Sequence, residues 1–254
     1  MNKINVVDNK IIPFDNTDVI LNNNIITFTN NGDYYLEYIT SDNVNITINI
    51  EDNVCVQLFE YSNNNDINTN ITYNLGKNSS LIISKFYYND NTNEEINIYL
   101  NKKNANIKYN FSSISKNHDN YLINIYHNDS TTNSDIFNRT IAKENSSNNF
   151  DINSYVENKI LDCYLNQSTK IITLGDSNNK INPNMFTHDN SVTAIHASVI
   201  GNVNGEELFY LMSRGISYNE AIKIIIKGII LSNINPNMEY REKILNILEE
   251  VGGE

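Results

Sequence analysis

The sequence contains no tryptophan and very little cysteine, glycine or proline. Its 254 residues include 2 Cys, 9 Gly and 3 Pro. The two cysteines, Cys55 and Cys163, form no Cys-x-x-Cys pair and no zinc ligand set, which excludes a disulfide-rich scaffold and a zinc module. We expect each to be a buried free thiol. The scarcity of glycine and proline removes the residues on which most turns depend.

Positive charge and long apolar runs are also scarce. The chain has 18 Lys and Arg against 30 Asp and Glu, a formal net charge of −12. No basic run exceeds Lys102-Lys103, so the sequence predicts no nucleic-acid partner, because such binding relies on clustered cations. The longest apolar run, residues 222–231, is interrupted by Lys223 and Lys227 and is too short to span a bilayer. With no apolar signal segment near the first residues, we expect a cytoplasmic protein without membrane contact.

What the chain does contain is asparagine, about fifty residues or roughly a fifth of the total. Asparagine tolerates left-handed backbone better than any residue except glycine, and its amide can bond its own backbone, so it can form the turns that glycine usually forms. A bias of the genome toward Asn, Ile and Lys codons is an alternative explanation of the excess. A disordered Asn-rich tract is excluded as the main explanation, because Ile, Tyr and Phe recur at tight spacing throughout.

From about residue 25 to residue 200, apolar and polar residues alternate with the period of two that is typical of half-buried strands. The segments with this pattern are Ile46–Ile50, Val54–Leu58, Ile71–Leu75, Leu81–Ser84, Ile96–Leu100, Ile107–Phe111, Leu122–Tyr126 and Ile171–Leu174. A sandwich, a barrel and a solenoid all fit such a stretch. Asn31-Gly32 is nearly the only hairpin-type dipeptide within it, which favours a β-solenoid with asparagine corners. No fixed repeat length is evident.

After residue 201 the pattern becomes helical. Residues 205–215 resemble a helix with an acidic first turn and a glycine stop, and Ser217 with Glu220 forms a capping box that opens a helix from Tyr218 to about Ser232. A third helix is predicted over Glu239–Val251. We therefore divide the chain into an N-terminal segment (1–24), a β core (25–203) and a C-terminal helical domain (204–254).

Residues 182–216 carry a family resemblance. They read NPNMFTHDNSVTAIHASVIG, NVNGEELFYLMSRGI and closely resemble the SufB/SufD signature, in which an x-Pro-x-Leu step and a histidine-containing block precede Glu-x-Leu-Phe-Tyr-Leu-x-Ser-Arg-Gly-Ile. The resemblance covers about residues 95–234. SufB/SufD proteins are scaffolds of iron–sulfur cluster assembly, so it implies a right-handed parallel β-helix core followed by a small C-terminal α-helical domain.

The resemblance also implies partners. Family members pair with a SufB-type protomer or with a second copy of themselves, and their C-terminal helices dock on SufC, an ATPase of the ABC type. This chain has no glycine-rich Lys-Ser/Thr phosphate loop, so we expect it to bind no nucleotide and to be an assembly component rather than an enzyme. It is short for the family, and about thirty mainly polar residues stand where members have an N-terminal helical region, which suits a SufD-like member.

The metal and sulfur chemistry implied by the family falls on few residues. His196 matches the histidine that SufD-type chains are thought to use for iron handling at the protomer interface, with a rung-stabilising histidine as the alternative. The SufB-type cysteine position falls near Thr169, so its thiol is missing. Cys163, whose strand pattern points it inward, is then a possible sulfur acceptor. Any cofactor would be iron or a transient iron–sulfur cluster. His127 also matches a family histidine, which we expect to support a rung.

The SufC interface implied by the family lies within residues 206–232. Its candidate residues are Glu206, Phe209, Tyr210, Arg214 and Gly215. By default, the apolar stripe of Leu208, Phe209, Leu211 and Met212 would be the buried side of its helix.

Two other functions stay open. One is a purely structural adaptor that positions SufC without metal chemistry, which the missing thiol and other lost family residues favour. The other is a polysaccharide-acting β-helix enzyme, which would need clustered calcium-binding aspartates and an export signal; neither is evident.

Overall fold

The computed structural model describes residues 2–7, 9–12, 18–39 and 43–251. The strands in this part of the chain are β1 (Asn2–Val7), β2 (Lys10–Ile12), β3 (Val19–Asn22), β4 (Ile25–Phe28), β5 (Gly32–Tyr38), β6 (Val44–Ile50), β7 (Cys55–Ser62), β8 (Asp66–Leu75), β9 (Ser80–Tyr87), β10 (Asn91–Leu100), β11 (Asn106–Ser115), β12 (His118–His127), β13 (Asn133–Lys143), β14 (Ser147–Val156), β15 (Tyr164–Leu174), β16 (Asn178–Thr187) and β17 (Thr193–Asn202). The helices are α1 (Gly205–Ser213), α2 (Tyr218–Asn233) and α3 (Met238–Val251). Each predicted strand overlaps an observed one, and the helix bounds agree within two residues.

From β4 onward, successive strands alternate between two sheets, so the chain coils into a solenoid. Sheet A has the order β17-β15-β13-β11-β9-β7-β5-β1-β2, and sheet B has the order β16-β14-β12-β10-β8-β6-β4-β3. Antiparallel hairpins join β1 to β2 and β3 to β4, and the other pairs in the described residues are parallel. This confirms the predicted β-solenoid with C-terminal helices.

In sheet B, from β4 onward, the number of residues in one turn of the solenoid increases along the chain. Equivalent positions are 22 residues apart at Thr27 and Asn49, 25 at Asn49 and Asn74, and 31 at Asn153 and Asn184. The strands in the later turns keep about the same length, so much of the increase accumulates in the corners. A drifting turn length explains why no fixed repeat is visible in the sequence.

Asparagine forms many of these corners, as predicted. Among the described residues, six of the nine non-glycine residues with left-handed φ are asparagines: Asn9, Asn23, Asn53, Asn78, Asn104 and Asn145. Asparagine also has a second role on the outer face of sheet B. There Asn97, Asn124, Asn153 and Asn184 form an amide ladder, in which each of the last three side chains donates to the asparagine of the preceding turn at 3.0–3.1 Å. The ladder ties neighbouring turns together beside the backbone hydrogen bonds.

The interior between the two sheets is a column of buried Ile, Leu, Val, Tyr and Phe side chains. Inward-facing positions alternate with outward-facing ones along the strands, so the strands that supply core side chains also carry the amide ladder on their outer face. The column contains one ionic cluster. Lys85 Nζ lies 3.2 Å from Glu60 Oε2 and 2.5 Å from Glu94 Oε1, and all three side chains are fully buried.

Helices α2 and α3 pack on the outer face of sheet A. Ile226, Ile230, Tyr240, Ile244 and Leu248 share one buried cluster with sheet residues such as Phe86 and Ile141. Helix α1 has no buried residue and makes its main contacts with α2. The prediction that its apolar stripe is buried is wrong for Phe209 and Met212, which are exposed, whereas Leu208 and Leu211 are half-buried. None of the helices in the described part of the chain combines the length and hydropathy needed to cross a membrane.

Candidate functional site

The last turn of the solenoid leaves one end of both sheets uncovered. Strand β17 pairs only with β15, and β16 pairs only with β14, so each has an unpaired edge. Nine of the ten residues of β17 are exposed, including Ile195 and Val199, the latter at 52%. A long strand edge with exposed apolar side chains is a template for pairing with another chain. We call residues 178–202 of β16 and β17 the open end.

His196 lies on the open end, at the centre of β17. It pairs in register with Gln167 of β15, whose side chain is buried and faces the interior. The Gln167 amide donates to Ser154 Oγ at 2.9 Å and to the main-chain carbonyl oxygen of Asn184 at 3.2 Å, while its Oε1 has no partner. Register partners in parallel strands face the same side, so the imidazole stands over the interior of the solenoid and is open to solvent.

Cys163 lies at a corner just before β15 and is 2% exposed. Its sulfur is 3.3 Å from Thr132 Oγ1 and 3.6 Å from the carbonyl oxygen of Leu161. The inward orientation expected from the sequence is therefore confirmed. Acceptance of sulfur at this thiol stays a prediction, and it requires the corner to open, since a buried thiol cannot reach a donor.

Cys55 corrects the expectation of a second buried thiol. It is exposed at the start of β7, because Val54 and Val56 occupy the inward positions on either side of it. The alternation of the segment contained this signal. Cys55 is also distant from the open end, because four strands of sheet A (β9, β11, β13 and β15) separate β7 from β17.

His127 supports a rung, as expected. It is buried at the end of β12, with Nδ1 2.8 Å from Thr132 Oγ1 and Nε2 3.0 Å from Ser134 Oγ. Burial lowers the pKa of this imidazole to about 4, so it is neutral at physiological pH. Both ring nitrogens are occupied by hydroxyls, which leaves neither free to bind iron.

The structure does not assemble a complete metal site within one chain. In the ranges described, no three His, Cys, Asp or Glu side chains come together in a ligand group. The described part of the chain thus gives His196 no such group of three, and Thr169, near the missing cysteine position, is buried on the interior side of β15.

The predicted SufC-interface residues lie together on α1 and its C-terminal cap. Phe209 is 75% exposed, Tyr210 and Glu206 are exposed, and the Arg214 guanidinium lies 5.2 Å from the Tyr210 ring centroid. Gly215 follows the cap with φ +87°, where an L side chain would be strained. We call this exposed helix with its cap the α1 surface.

A shallow depression of about 410 Å³ lies between α1 and α2. It is lined by Glu206, Glu207, Tyr210, Leu211 and Ile225. The helix is fixed at its start by Asn204, whose side-chain oxygen accepts from the main-chain N–H of Glu206 at 2.8 Å. Acidic residues in the first turn further stabilise it. The α1 surface is thus an ordered apolar face with an acidic rim.

Sequence reasoning missed the ionic cluster of Glu60, Lys85 and Glu94. The only available signal was the position of Lys85, which falls on the inward side of β9 in phase with Leu81 and Ile83. Tyr38 and Tyr73 donate to Glu60, and Tyr87 donates to Glu94. These contacts depend on how residues of different strands are paired, and a single sequence does not show that pairing.

Comparison with known proteins agrees with this architecture. The chain is 25% identical over 134 residues to the iron-sulfur cluster assembly protein SufD of Bacillus subtilis (strain 168). That match covers 52% of this chain and 31% of the Bacillus protein. The family model for the SufBD core domain of the SUF system of Fe–S cluster assembly matches residues 21–229, which include the whole solenoid from β4 onward and most of α2. The chain therefore belongs to the SufB/SufD family of the SUF system for iron–sulfur cluster assembly.

Proposed function

We propose that the chain is a scaffold subunit of a SUF-type iron–sulfur assembly complex. It pairs through the open end with a SufB-type protomer or with a second copy of itself, and it carries a SufC-type ATPase on the α1 surface. Iron, as cargo, enters at the paired ends with help from His196. The chain itself binds no nucleotide and performs no catalysis.

The observation that carries this proposal is the open end. The strands β16 and β17 have ten residues each, and each has one edge without a hydrogen-bonded partner strand. An unpaired edge of this length promotes aggregation unless another strand covers it. Ile195, Val199 and Ile200 add exposed apolar area to the same surface. A second solenoid placed end to end would continue both sheets and bury these residues.

The α1 surface supports the second half of the proposal. A helix that exposes large apolar side chains is stabilised when a partner covers them, and exposed apolar patches mark protein-binding sites. Phe209 and Met212 would supply the apolar contacts. Glu206 and Glu207 would supply acidic contacts at the rim, which fits a partner with a basic surface.

A purely structural adaptor is the second candidate. It is favoured by the lack of a three-residue ligand group among the described residues and by the threonine near the family's cysteine position. Such a chain would position SufC and its partner scaffold without touching iron. The two candidates differ only in whether His196 takes part in metal chemistry.

Co-purification tests the assembly proposal. The chain is expressed with SufC and with the SufB-type protein of the same organism, and complexes are separated by size. Phe209→Asp should abolish SufC binding while leaving the fold intact. Met238→Asp is the matched control, because Met238 is an equally exposed apolar residue on α3, at 80%. Equal loss of SufC in both variants, or no complex in the unaltered protein, would contradict the proposal.

Anaerobic reconstitution with iron and sulfide separates the two candidates. The purified complex is compared with its His196→Ala form by visible absorbance and iron content. A lower cluster yield with unchanged assembly supports iron handling by His196. An unchanged yield assigns the chain to the adaptor role. His188→Ala, which removes an exposed imidazole just after β16, controls for loss of any surface histidine.

A further inference from the structure

A trough of about 510 Å³ lies on the outer face of sheet A, beside the helical layer and away from the open end. One wall is the segment 232–235 that joins α2 to α3. Asn233 fixes this wall by donating to the carbonyl oxygen of Phe111 at 2.8 Å and of Phe137 at 3.3 Å, and Asn235 donates its main-chain N–H to Ser84 Oγ at 3.2 Å. The trough is therefore preformed, and its volume falls in the range of small-molecule sites.

Two cations lie at one end of the trough. Lys108 Nζ and the Arg139 guanidinium carbon are each 5.9 Å from the ring centroid of Phe137, on neighbouring strands β11 and β13. Arg139 donates through Nη1 to the carbonyl oxygens of Asn138 and Ser168, and through Nη2 to Ser168 Oγ. A guanidinium has five N–H donors, so two of them, on Nη2 and Nε, have no partner among the described residues.

Neither cation forms an ion pair in the described part of the chain. The ion pairs found there involve other lysines, and none reaches Lys108, Arg139 or Lys170. Burial lowers the pKa of Arg139, and no neighbouring acid opposes that shift. Asp135 is the cross-strand neighbour of Lys108, but its carboxylate accepts from Asn166 instead.

The cross-strand neighbour of Arg139 on its other side is another cation, Lys170. Like charges placed directly opposite on neighbouring strands are destabilising unless a counter-charge lies close. The chain has 30 acidic residues available, yet the only acid that lines the trough is Asp33, on β5 at the opposite end from β13. A bound anion would relieve the repulsion.

Aromatic and apolar side chains also line the trough, between polar residues such as Gln57, Ser84 and Asn110. Tyr35, Phe59 and Ile82 line it along the strands that precede β11. A ligand that occupies the whole trough therefore presents an anionic group to Lys108 and Arg139 and an apolar body to the aromatic side chains. A free inorganic ion would fill only the basic end.

We propose that this trough is a binding site for a small organic anion, whose phosphate or carboxylate oxygens are held by Lys108 and Arg139 while its apolar body packs against Phe137, Tyr35 and Ile82. The site is on a different surface from the open end and the α1 surface. It does not depend on the proposed function.

Isothermal titration calorimetry on the full chain tests this site with phenyl phosphate, phthalate, inorganic phosphate and benzyl alcohol. We expect phenyl phosphate or phthalate, or both, to bind at least about tenfold more tightly than inorganic phosphate and benzyl alcohol, because only they satisfy both halves of the trough. Tighter binding of phenyl phosphate than of phthalate identifies phosphate as the preferred anionic group, and the reverse order identifies carboxylate. The thermal midpoint of unfolding should rise with the bound probe.

Variants locate the site. Lys108→Gln should weaken the tighter probe at least about tenfold without loss of folding, since Lys108 is exposed and makes no ion pair. Arg139→Gln should do the same if it folds. Lys180→Gln removes an exposed lysine from sheet B and should change nothing. The proposal is overturned if neither organic anion binds more tightly than benzyl alcohol, or if Lys180→Gln weakens binding as much as Lys108→Gln.

Discussion

Replacement of Lys85 by methionine tests the energetic role of the ionic cluster inside the solenoid. The lysine compensates two carboxylates, Glu60 and Glu94, in a space from which water is excluded. Methionine fills a similar volume but removes the positive charge. Two buried carboxylates then face each other's negative charge with only hydroxyl donors around them.

The expected loss follows from that burial. Removing one partner of a buried ion pair costs about 3–5 kcal/mol, because the remaining charge stays desolvated. For a chain of this length, 1 kcal/mol corresponds to roughly 2–4 °C in the thermal midpoint. Lys85→Met should therefore lower the midpoint by roughly 6–20 °C. Urea denaturation followed by far-UV circular dichroism measures the same loss as a free energy.

Two controls define the result. Lys102→Met removes an ion pair with Asp52 in which both side chains are about half exposed, and it should leave the midpoint unchanged because solvent screens such pairs. Lys85→Met combined with Glu60→Gln and Glu94→Gln removes the uncompensated charges and should recover most of the stability. If Lys85→Met alone costs no more than Lys102→Met, the reasoning about buried charge fails.

Further predictions concern titration and backbone conformation. The pKa of His127 is about 4 in the folded protein and 6.5 in the unfolded chain. Its contribution to stability therefore falls by ~3 kcal/mol as the pH drops from 6.5 to 4. His127→Gln should remove this loss, as measured by urea denaturation at several pH values. Asp119 acts in the opposite direction, because burial raises its pKa from 3.8 to about 6. The stability that this group contributes is lost as the pH rises through 6. Asp119→Asn should therefore be more stable than the unaltered protein at pH 7 by up to ~3 kcal/mol. If Asp119→Asn is less stable at pH 7, that sign is wrong. Asn145, with φ +63°, should tolerate glycine, whereas alanine should cost about 1–2 kcal/mol; equal stability of the two variants would contradict the left-handed corner.

The sequence predicted the strands well because alternation is a local property. Each of the segments between Ile46 and Leu174 needed only its own residues to indicate which side faces the core. The turn length was not predictable, because the spacing between equivalent positions drifts from 22 to 31 residues. The amide ladder was missed for the same reason, since it depends on register between turns. Asparagine abundance alone predicted the corners.

The candidate site was predicted only in part. The residues of the α1 surface were identified through the family resemblance, whereas the helical pattern alone predicted that Phe209 and Met212 are buried. An amphipathic pattern indicates that one face of a helix is buried against other protein, but it does not indicate whether that protein is the same chain or a partner. Cys55 was assigned to the core although its alternation phase pointed outward. Lys108 and Arg139 are 31 residues apart in sequence, and only the pairing of β11 with β13 brings them to one trough.

The two ends of the solenoid differ in the strands that close them. In the described residues, the early end carries the antiparallel hairpins β1–β2 and β3–β4, whereas the late end carries the bare strands β16 and β17. The late end of one copy, placed on the early end of another, would meet the short strands β2 and β3 rather than a ten-residue edge. The hairpins therefore leave a head-to-tail fibre without a matching second edge on which to grow.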